Sequence, residues 1–267
     1  MIVCPLVSGS SGNATLVVGG GVSLLVDCGA TGATIERALN SLGYNPRELT
    51  AVLVTHAHDD HVKGLGVISR RYNLPIYASV GAWEEIMKRD KIGTISAKNV
   101  RVFQSIKVNE PLCFGDLAAR FFSTPHDAYD SVGYVFSDGK ASFGLATDFG
   151  HVTPGIRSAL HGCQVVLLES NYDEDMLWKG PYPYPLKTRI AGCYGHMSNS
   201  DAGDFAIELA QKGAQHIFLG HLSVHNNTQE LAYHTVEEKL LAADVDPRRD
   251  CMVYMTRRYE PSRLLEF

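Results

Sequence analysis

The stretch Thr55-His56-Ala57-His58-Asp59-Asp60-His61 sets the reading of this chain. Three histidines and two aspartates fall within seven residues, directly after the apolar run Val52-Leu53-Val54. Imidazole and carboxylate are the ligands that borderline-soft divalent metals take. A strand that ends and at once offers several of them forms the lip of a metal site. His56 and His58 share a side under the two-residue period of a strand. His61 needs the chain to turn, as at the start of a helix, and Asp60 then lies near His61 rather than near the first pair. This arrangement supplies two adjacent metal positions rather than one.

Short strands and helices surround the cluster, with Gly, Asn and Asp as punctuation. Met1–Val7, Thr15–Val18 and Val22–Asp27 read as strands, and Ala51–Val54 delivers the histidines. Ile35, Ala38, Leu39 and Leu42 recur at helical spacing, so a helix is expected from Thr34 to Leu42 with Gly43 closing it. Further helices are expected over Lys63–Tyr72 and Gly81–Arg89, around a strand at Pro75–Ala78. The middle turns to β: Val100–Val108, Leu117–Thr124, Val132–Phe136 and Ala141–Thr147, the last two joined by a hairpin at Asp138-Gly139. Thr153-Pro154 starts a helix to Leu160, and Gln164–Glu169 is a buried strand. Tyr172–Tyr194 is less regular, with Gly180-Pro181-Tyr182-Pro183-Tyr184-Pro185 at its centre. A helix at Asp201–Lys212, a strand at His216–Leu219, a helix at Thr228–Ala242 and a strand at Met252–Thr256 complete the chain. Strands then helices, twice over, predict two packed sheets with helices outside. No internal repeat or low-complexity linker divides residues 1–267, so one domain is expected.

The composition is that of a soluble globular protein, 45% apolar and 20% charged. No apolar run approaches the ~20 residues of a membrane span, and Met1–Ser10 lacks a basic stretch followed by a long apolar one, so no signal peptide is expected. Six scattered cysteines without a CxxC pair predict reduced thiols in the cytoplasm rather than a disulfide framework. The formal charge of −5 offers no global attraction to nucleic acid, so such binding would rest on local basic residues and bound metal.

More ligands are expected at other strand ends, where loops gather to form sites. His126 follows Phe121-Phe122-Ser123-Thr124-Pro125, Asp148 follows Phe143-Gly144-Leu145-Ala146-Thr147, and His221 follows His216-Ile217-Phe218-Leu219-Gly220. Singly, each has an ordinary reading as a loop histidine or a turn-forming aspartate. Together with the cluster they converge on a metal site, which needs several ligands.

The series His56-x-His58-x-Asp60-His61, then His126, Asp148 and His221, resembles the ligand series of the metallo-β-lactamase-fold hydrolases. The resemblance implies a four-layer αβ/βα sandwich of the α/β (α+β) class and two divalent ions, zinc, manganese or iron. It implies that His56, His58 and His126 hold the first ion, that Asp60, His61 and His221 hold the second, and that Asp148 bridges them. True β-lactamases of the fold carry a cysteine where Asp148 stands. The carboxylate resembles instead the phosphodiesterase and thioester-hydrolase branches. Ser8-Gly9-Ser10-Ser11-Gly12-Asn13, the Gly180–Lys187 segment, Gly195-His196-Met197-Ser198-Asn199 and Gly220-His221-Leu222-Ser223 resemble the bacterial YycJ/WalJ-type branch. That narrower resemblance implies a 5′→3′ DNA exonuclease.

Dinuclear hydrolysis also needs a proton for the leaving group. Related phosphodiesterases carry a non-ligand histidine between the bridging Asp and the last His, and His196 stands there; with Asp60 it is the expected catalytic residue. The ordinary reading of His196 is a loop histidine beside a helix cap. Asp27 resembles the family's first acidic position and is expected to orient a histidine rather than touch metal. Ser10, Ser11 and Asn13 could present donors to phosphate, or form a plain turn. Lys187 and Arg189, with Tyr182 and Tyr184, could pair phosphate contact with base stacking, or belong to a packed surface loop. DNA is the expected substrate. The alternatives are hydrolysis of a glyoxalase II-like thioester or small cyclic phosphodiester, and a non-catalytic metal-binding module.

Overall fold

Two seven-stranded sheets face each other through a shared apolar layer. The computed structural model describes residues 1–88, 95, 99–104 and 110–267. The first sheet takes β1 (Ile2–Val7), β2 (Ala14–Gly19), β3 (Val22–Val26), β4 (Ala51–Leu53), β5 (Ile76–Ser79) and β6 (Val100–Phe103). The second takes β7 (Leu112–Phe114), β8 (Leu117–Ser123), β9 (Val132–Ser137), β10 (Ser142–Ala146), β11 (Val165–Glu169), β12 (His216–Gly220) and β13 (Met252–Met255). The C-terminal β14 (Leu265–Glu266) returns to pair with β1.

The strands are apolar on both faces, and each face has its own partner. In β11, Val165 and Leu167 enter the layer between the sheets, while Val166 and Leu168 face helices. In β3, Leu24 and Val26 face the opposite sheet and Leu25 faces outward. A period-two strand buried on both sides requires this sandwich. The outer face of the first sheet is covered by α1 (Gly32–Ser41), α3 (Leu65–Tyr72) and α4 (Val80–Met87), with the one-turn α2 (Asp59–Val62) ahead of α3. The second sheet is covered by α5 (Pro154–Leu160), α8 (Asn199–Gln211) and α9 (Gln229–Ala242). The expected four-layer sandwich is therefore the observed one. Phe218 of β12 is fully buried between the sheets. Phe218→Ala should cost about 3–5 kcal/mol, read as a lower urea midpoint at unchanged slope.

Several local expectations change. The helix expected over Lys63–Tyr72 is α3, which starts at Leu65; an additional one-turn helix, α2, precedes it, and the two are separated at Gly64, where a Cβ would lie 2.3 Å from Ala30 O. The irregular segment after Tyr172 contains α6 (Glu174–Lys179) and α7 (Tyr184–Ile190). Asp173 caps α6 by accepting from Met176 N, and Pro185 sits in the first turn of α7, where a missing N–H costs nothing. The prolines thus mark a helix start. The expected helix end at Arg89 and the expected strand residues 105–108 lie outside the described residues. No helix among the described residues is long and apolar enough to cross a membrane.

Candidate metal centre

Strands β3 and β4 run parallel, as do β10, β11 and β12, and β8 runs with β10 because both flank antiparallel β9. Their carboxyl ends therefore open at one edge of the sandwich. Each exit carries a polar residue: Asp27 after β3, His56 after β4, His126 after β8, Asp148 after β10, Glu169 at the end of β11 and His221 after β12. Asp27, Asp148 and His221 have left-handed backbones, with φ of 63°, 63° and 57°. Such a conformation costs a non-glycine residue about 1–2 kcal/mol. It swings the side chain off the strand line into the gap between the sheets. At His221 the strained turn is held by the backbone: His221 N donates to Ser8 Oγ (3.0 Å) and Asn171 Nδ2 donates to His221 O (2.7 Å).

The histidine segment itself lies beyond β4, which stops at Leu53. The Tyr134 hydroxyl donates to Val54 O (2.7 Å), tying the segment to the opposite sheet. His58 then starts α2 as its N-cap, so the chain turns between His58 and the Asp60–His61 pair. Cys28 N donates to His61 O and Asn13 N to Asp60 O, at 2.7 and 2.8 Å. Gly29 makes this approach possible, since a Cβ there would sit 1.5 Å from Asp60 O.

Donor atoms converge in overlapping groups: His56, His58 and His126; Asp60, His61 and His221; His56, His61 and Asp148; and Asp148, Glu169, His196 and His221. In each group the donor atoms lie within 4.8 Å of one another. His58 Nδ1 approaches His126 Nε2 to 3.2 Å, and His221 Nε2 lies 3.2 Å from Asp60 Oδ2. Asp148 stands between the two sides, with Oδ2 at 3.3 Å from His61 Nε2 and Oδ1 at 3.7 Å from His126 Nε2.

The outward nitrogens are engaged elsewhere. His56 Nδ1 meets Thr55 Oγ1 (3.0 Å), His61 Nδ1 meets Asp27 Oδ2 (2.8 Å), His126 Nδ1 meets Gly195 O (3.1 Å) and His221 Nδ1 meets Glu169 Oε1 (2.7 Å). These partners fix the tautomers and leave the inner nitrogens as lone pairs for a cation. Asp27 is itself held, accepting from Thr55 N (2.8 Å) and Thr55 Oγ1 (2.9 Å).

The inner atoms fit a metal ion. His56 Nε2 and Asp148 Oδ2 are buried without a hydrogen-bond partner among the described residues, and such orphaned groups cost about 1–3 kcal/mol each. Burial, reinforced by the neighbouring imidazoles, pushes the His56 pKa well below its usual value, so its lone pair is available. Burial would raise Asp60 and Asp148, but the nearby histidines reverse this and hold both carboxyls ionised. Burial would lower His61 and His221, but Asp148 and the other acids around them outweigh it, and His221 is raised to about 10. Positive charge is therefore favoured at these inner positions, and a divalent cation supplies it while displacing the protons.

The site opens into a cleft of about 370 Å³ lined in part by Ser10, His58, Asp60, Asp148, Arg189 and His196. Two residues expected to meet substrate are placed otherwise. The Lys187 ammonium is buried and donates to Trp178 O and Gly180 O, both at 2.8 Å, so it anchors the α6–α7 turn instead of reaching phosphate. Asn13 is also buried. Its carboxamide is clamped by Gly9 N and O, and its Nδ2 lies 3.3 Å from Asp60 Oδ2 and 3.1 Å from His61 Nε2, among the ligand groups rather than at the surface. Ser10 lines the cleft, and Ser11 is exposed beside it.

Sequence reasoning missed Glu169. Fully buried, it accepts from His196 Nδ1 (2.8 Å), His221 Nδ1 (2.7 Å), Phe149 N (3.1 Å) and Met197 N (3.2 Å). The signal was present: Val165-Val166-Leu167-Leu168-Glu169 ends an apolar run on a carboxylate. Burial would lower the His196 pKa, but Glu169 and then Asp148 raise it above the usual imidazole value.

The fold and this donor set define a class. Residues 7–221 match the model of the metallo-β-lactamase superfamily, and the chain belongs to that superfamily. Within it, the chain is 35% identical over 251 residues to the exodeoxyribonuclease WalJ of Streptococcus pneumoniae serotype 2 (strain D39 / NCTC 7466), covering 94% of this chain and 92% of the relative. It is 36% identical over 235 residues to the exodeoxyribonuclease YycJ of Bacillus anthracis, covering 88% and 87%. Zinc-bound PqqB from Methylobacterium extorquens shares the fold at a TM-score of 0.74 and 17% identity, with 100% of both chains covered.

Proposed function

We propose that the protein is a dinuclear metal-dependent exodeoxyribonuclease that removes nucleotides from a 5′ end of DNA, acting as one domain over residues 1–267. The observation that carries this reading is the two donor groups, His56–His58–His126 and Asp60–His61–His221, with Asp148 standing between them and His196, held by buried Glu169, lining the cleft. His56, His58 and His126 would hold one ion, Asp60, His61 and His221 the other, and Asp148 both. Zinc, manganese and iron all suit this mixed nitrogen and oxygen set. Bound ions would polarise the phosphoryl oxygens and ready a water for attack at neutral pH.

The remaining work falls to the chain's own residues. Asp60 accepts from Asn13 and faces His221, so its carboxylate is held toward the second donor group. Glu169 takes the His196 Nδ1 proton as a hydrogen bond and leaves Nε2 to carry the labile one. His196 lines the cleft, and its raised pKa keeps it protonated for delivery to the departing sugar oxygen. Ser10, which lines the cleft, and the exposed Ser11 would contact the strand. Six free cysteines, four of them buried, fit a reducing cytoplasm, where we place the reaction.

The test is degradation of 5′- and 3′-labelled single- and double-stranded DNA and RNA, with manganese or zinc supplied and a chelator control. Mononucleotides released from the 5′ end of DNA, and only with metal, are expected. Hydrolysis of a glutathione thioester with DNA left intact would overturn the proposal.

A further inference from the structure

Arg189 is the one Arg or Lys among the described residues that line the cleft. Four carboxylates, Asp59, Asp60, Asp127 and Asp148, line it too, so the protein's own charge there opposes a polyanion. With Lys187 turned onto backbone carbonyls, Arg189 is left to offset them at the rim. Its Nε donates to Asp127 Oδ2, while its two terminal nitrogens make no hydrogen bond to a described residue, and the side chain is 61% exposed.

Asp127 points its other oxygen at the ligand group, 3.5 Å from His126 Nε2 and 3.8 Å from His58 Nε2. The guanidinium thus stands one carboxylate's width from the first donor group. Its place does not depend on the ion pair alone. Asp127 N donates to Tyr194 O (3.0 Å), Gly195 O pairs with His126 Nδ1 (3.1 Å), and His196 N donates to Ile190 O at the end of α7 (2.8 Å). Helix α7 and the 126–127 turn are fastened together, with Arg189 between them and the cleft.

We propose that Arg189 reads the phosphate adjacent to the one being cleaved, and that Asp127 is the positioning residue that aims it. This rests on the nuclease reading above. Held through Nε, the guanidinium presents its Nη1–Nη2 edge, a planar fork that matches two phosphate oxygens. A small diester has no second phosphate for this fork, so Arg189 makes the cleft specific for a polynucleotide. The adjacent phosphate is either the terminal 5′-phosphate or the next internucleotide one.

The experiment uses the metal-loaded protein and an oligodeoxynucleotide in three forms: 5′-phosphorylated, 5′-hydroxyl, and with a single neutral methylphosphonate at the linkage next to the first scissile bond. In the wild type, loss of the contacted charge should raise KM about tenfold, and the form that shows the loss identifies the phosphate. Arg189→Gln should raise KM about tenfold on the fully charged strand, with kcat within threefold, and should no longer distinguish the three forms. Arg189→Lys should recover only part of this, lacking the fork. Asp127→Asn should raise KM less and keep the discrimination. The salt dependence of log KM should fall by about one phosphate contact in Arg189→Gln. Wild-type KM in Arg189→Gln, or equal sensitivity of both proteins to loss of the 5′-phosphate and to the neutral linkage alike, would overturn the proposal. Failure of the wild type to release any nucleotide with manganese or zinc would overturn the nuclease reading, and the inference with it.

Discussion

Asp148→Asn is expected to lose metal-dependent nucleotide release by roughly 10³-fold or more, equivalent to several kcal/mol of transition-state stabilisation. Asparagine is the informative replacement because residue 148 has a left-handed backbone, φ 63°, which asparagine tolerates and alanine does not. The substitution keeps the side chain's shape and removes its charge. Asp148 is almost fully buried, with one oxygen facing His61 and the other facing His126, His196 and His221 within 3.7 Å. No other carboxylate among the described residues touches both donor groups in this way. Without it, the positive charge of two ions would be under-compensated in a buried pocket. Metal analysis should therefore show fewer than two ions per chain, and added zinc or manganese should raise Tm less than in the wild type. Wild-type metal content together with a wild-type rate would sink the assignment of Asp148 as the shared ligand.

The second large effect is expected at His196, and it should depend on the leaving group. His196→Ala should slow DNA cleavage by about 10²–10⁴-fold, the range for a positioned general acid. The departing sugar alkoxide needs a proton; p-nitrophenolate does not. Hydrolysis of bis-p-nitrophenyl phosphate by the same variant should therefore stay within about tenfold of wild type, with metal content unchanged. Equal losses on both substrates would show that His196 serves the site in some other way.

Glu169→Gln extends the test to pH. Burial lowers the His196 pKa, and the Glu169 carboxylate is the largest influence raising it. A step that needs protonated His196 is intact below this raised pKa and is lost as pH rises through it. Removing the carboxylate should move that alkaline limb to lower pH. Because Glu169 also holds His221 at 2.7 Å, the variant should bind metal about 10–100-fold more weakly, so the profile is to be measured at saturating metal.

Much of this candidate site was legible in the linear chain because its donor residues are local in two senses. His56, His58, Asp60 and His61 lie within six residues of one another, and His126, Asp148 and His221 each follow an apolar strand. Period-two apolar runs locate strands, and strand ends locate the edge where a site forms. The α6 and α7 helices were less legible, because their caps are an aspartate and a proline within a Pro/Tyr-rich stretch that also suits a loop. Lys187 and Arg189 are two residues apart in one short helix, and the sequence does not distinguish them. Helical rotation turns one ammonium onto the carbonyls of Trp178 and Gly180 and leaves the other residue's guanidinium at the cleft.

By itself, the sequence determined the class of protein: the candidate donor types, their order and the strands that deliver them are properties of residue identity and spacing. Only the tertiary structure decided how those residues are held. Glu169 reaches His196 and His221 across 27 and 52 residues of chain, Asp127 reaches Arg189 across 62, and Asn13 reaches His61 across 48. Such pairings follow from packing two sheets face to face with their strand ends at one edge, where each partner's position is set by the whole fold rather than by its neighbours in sequence.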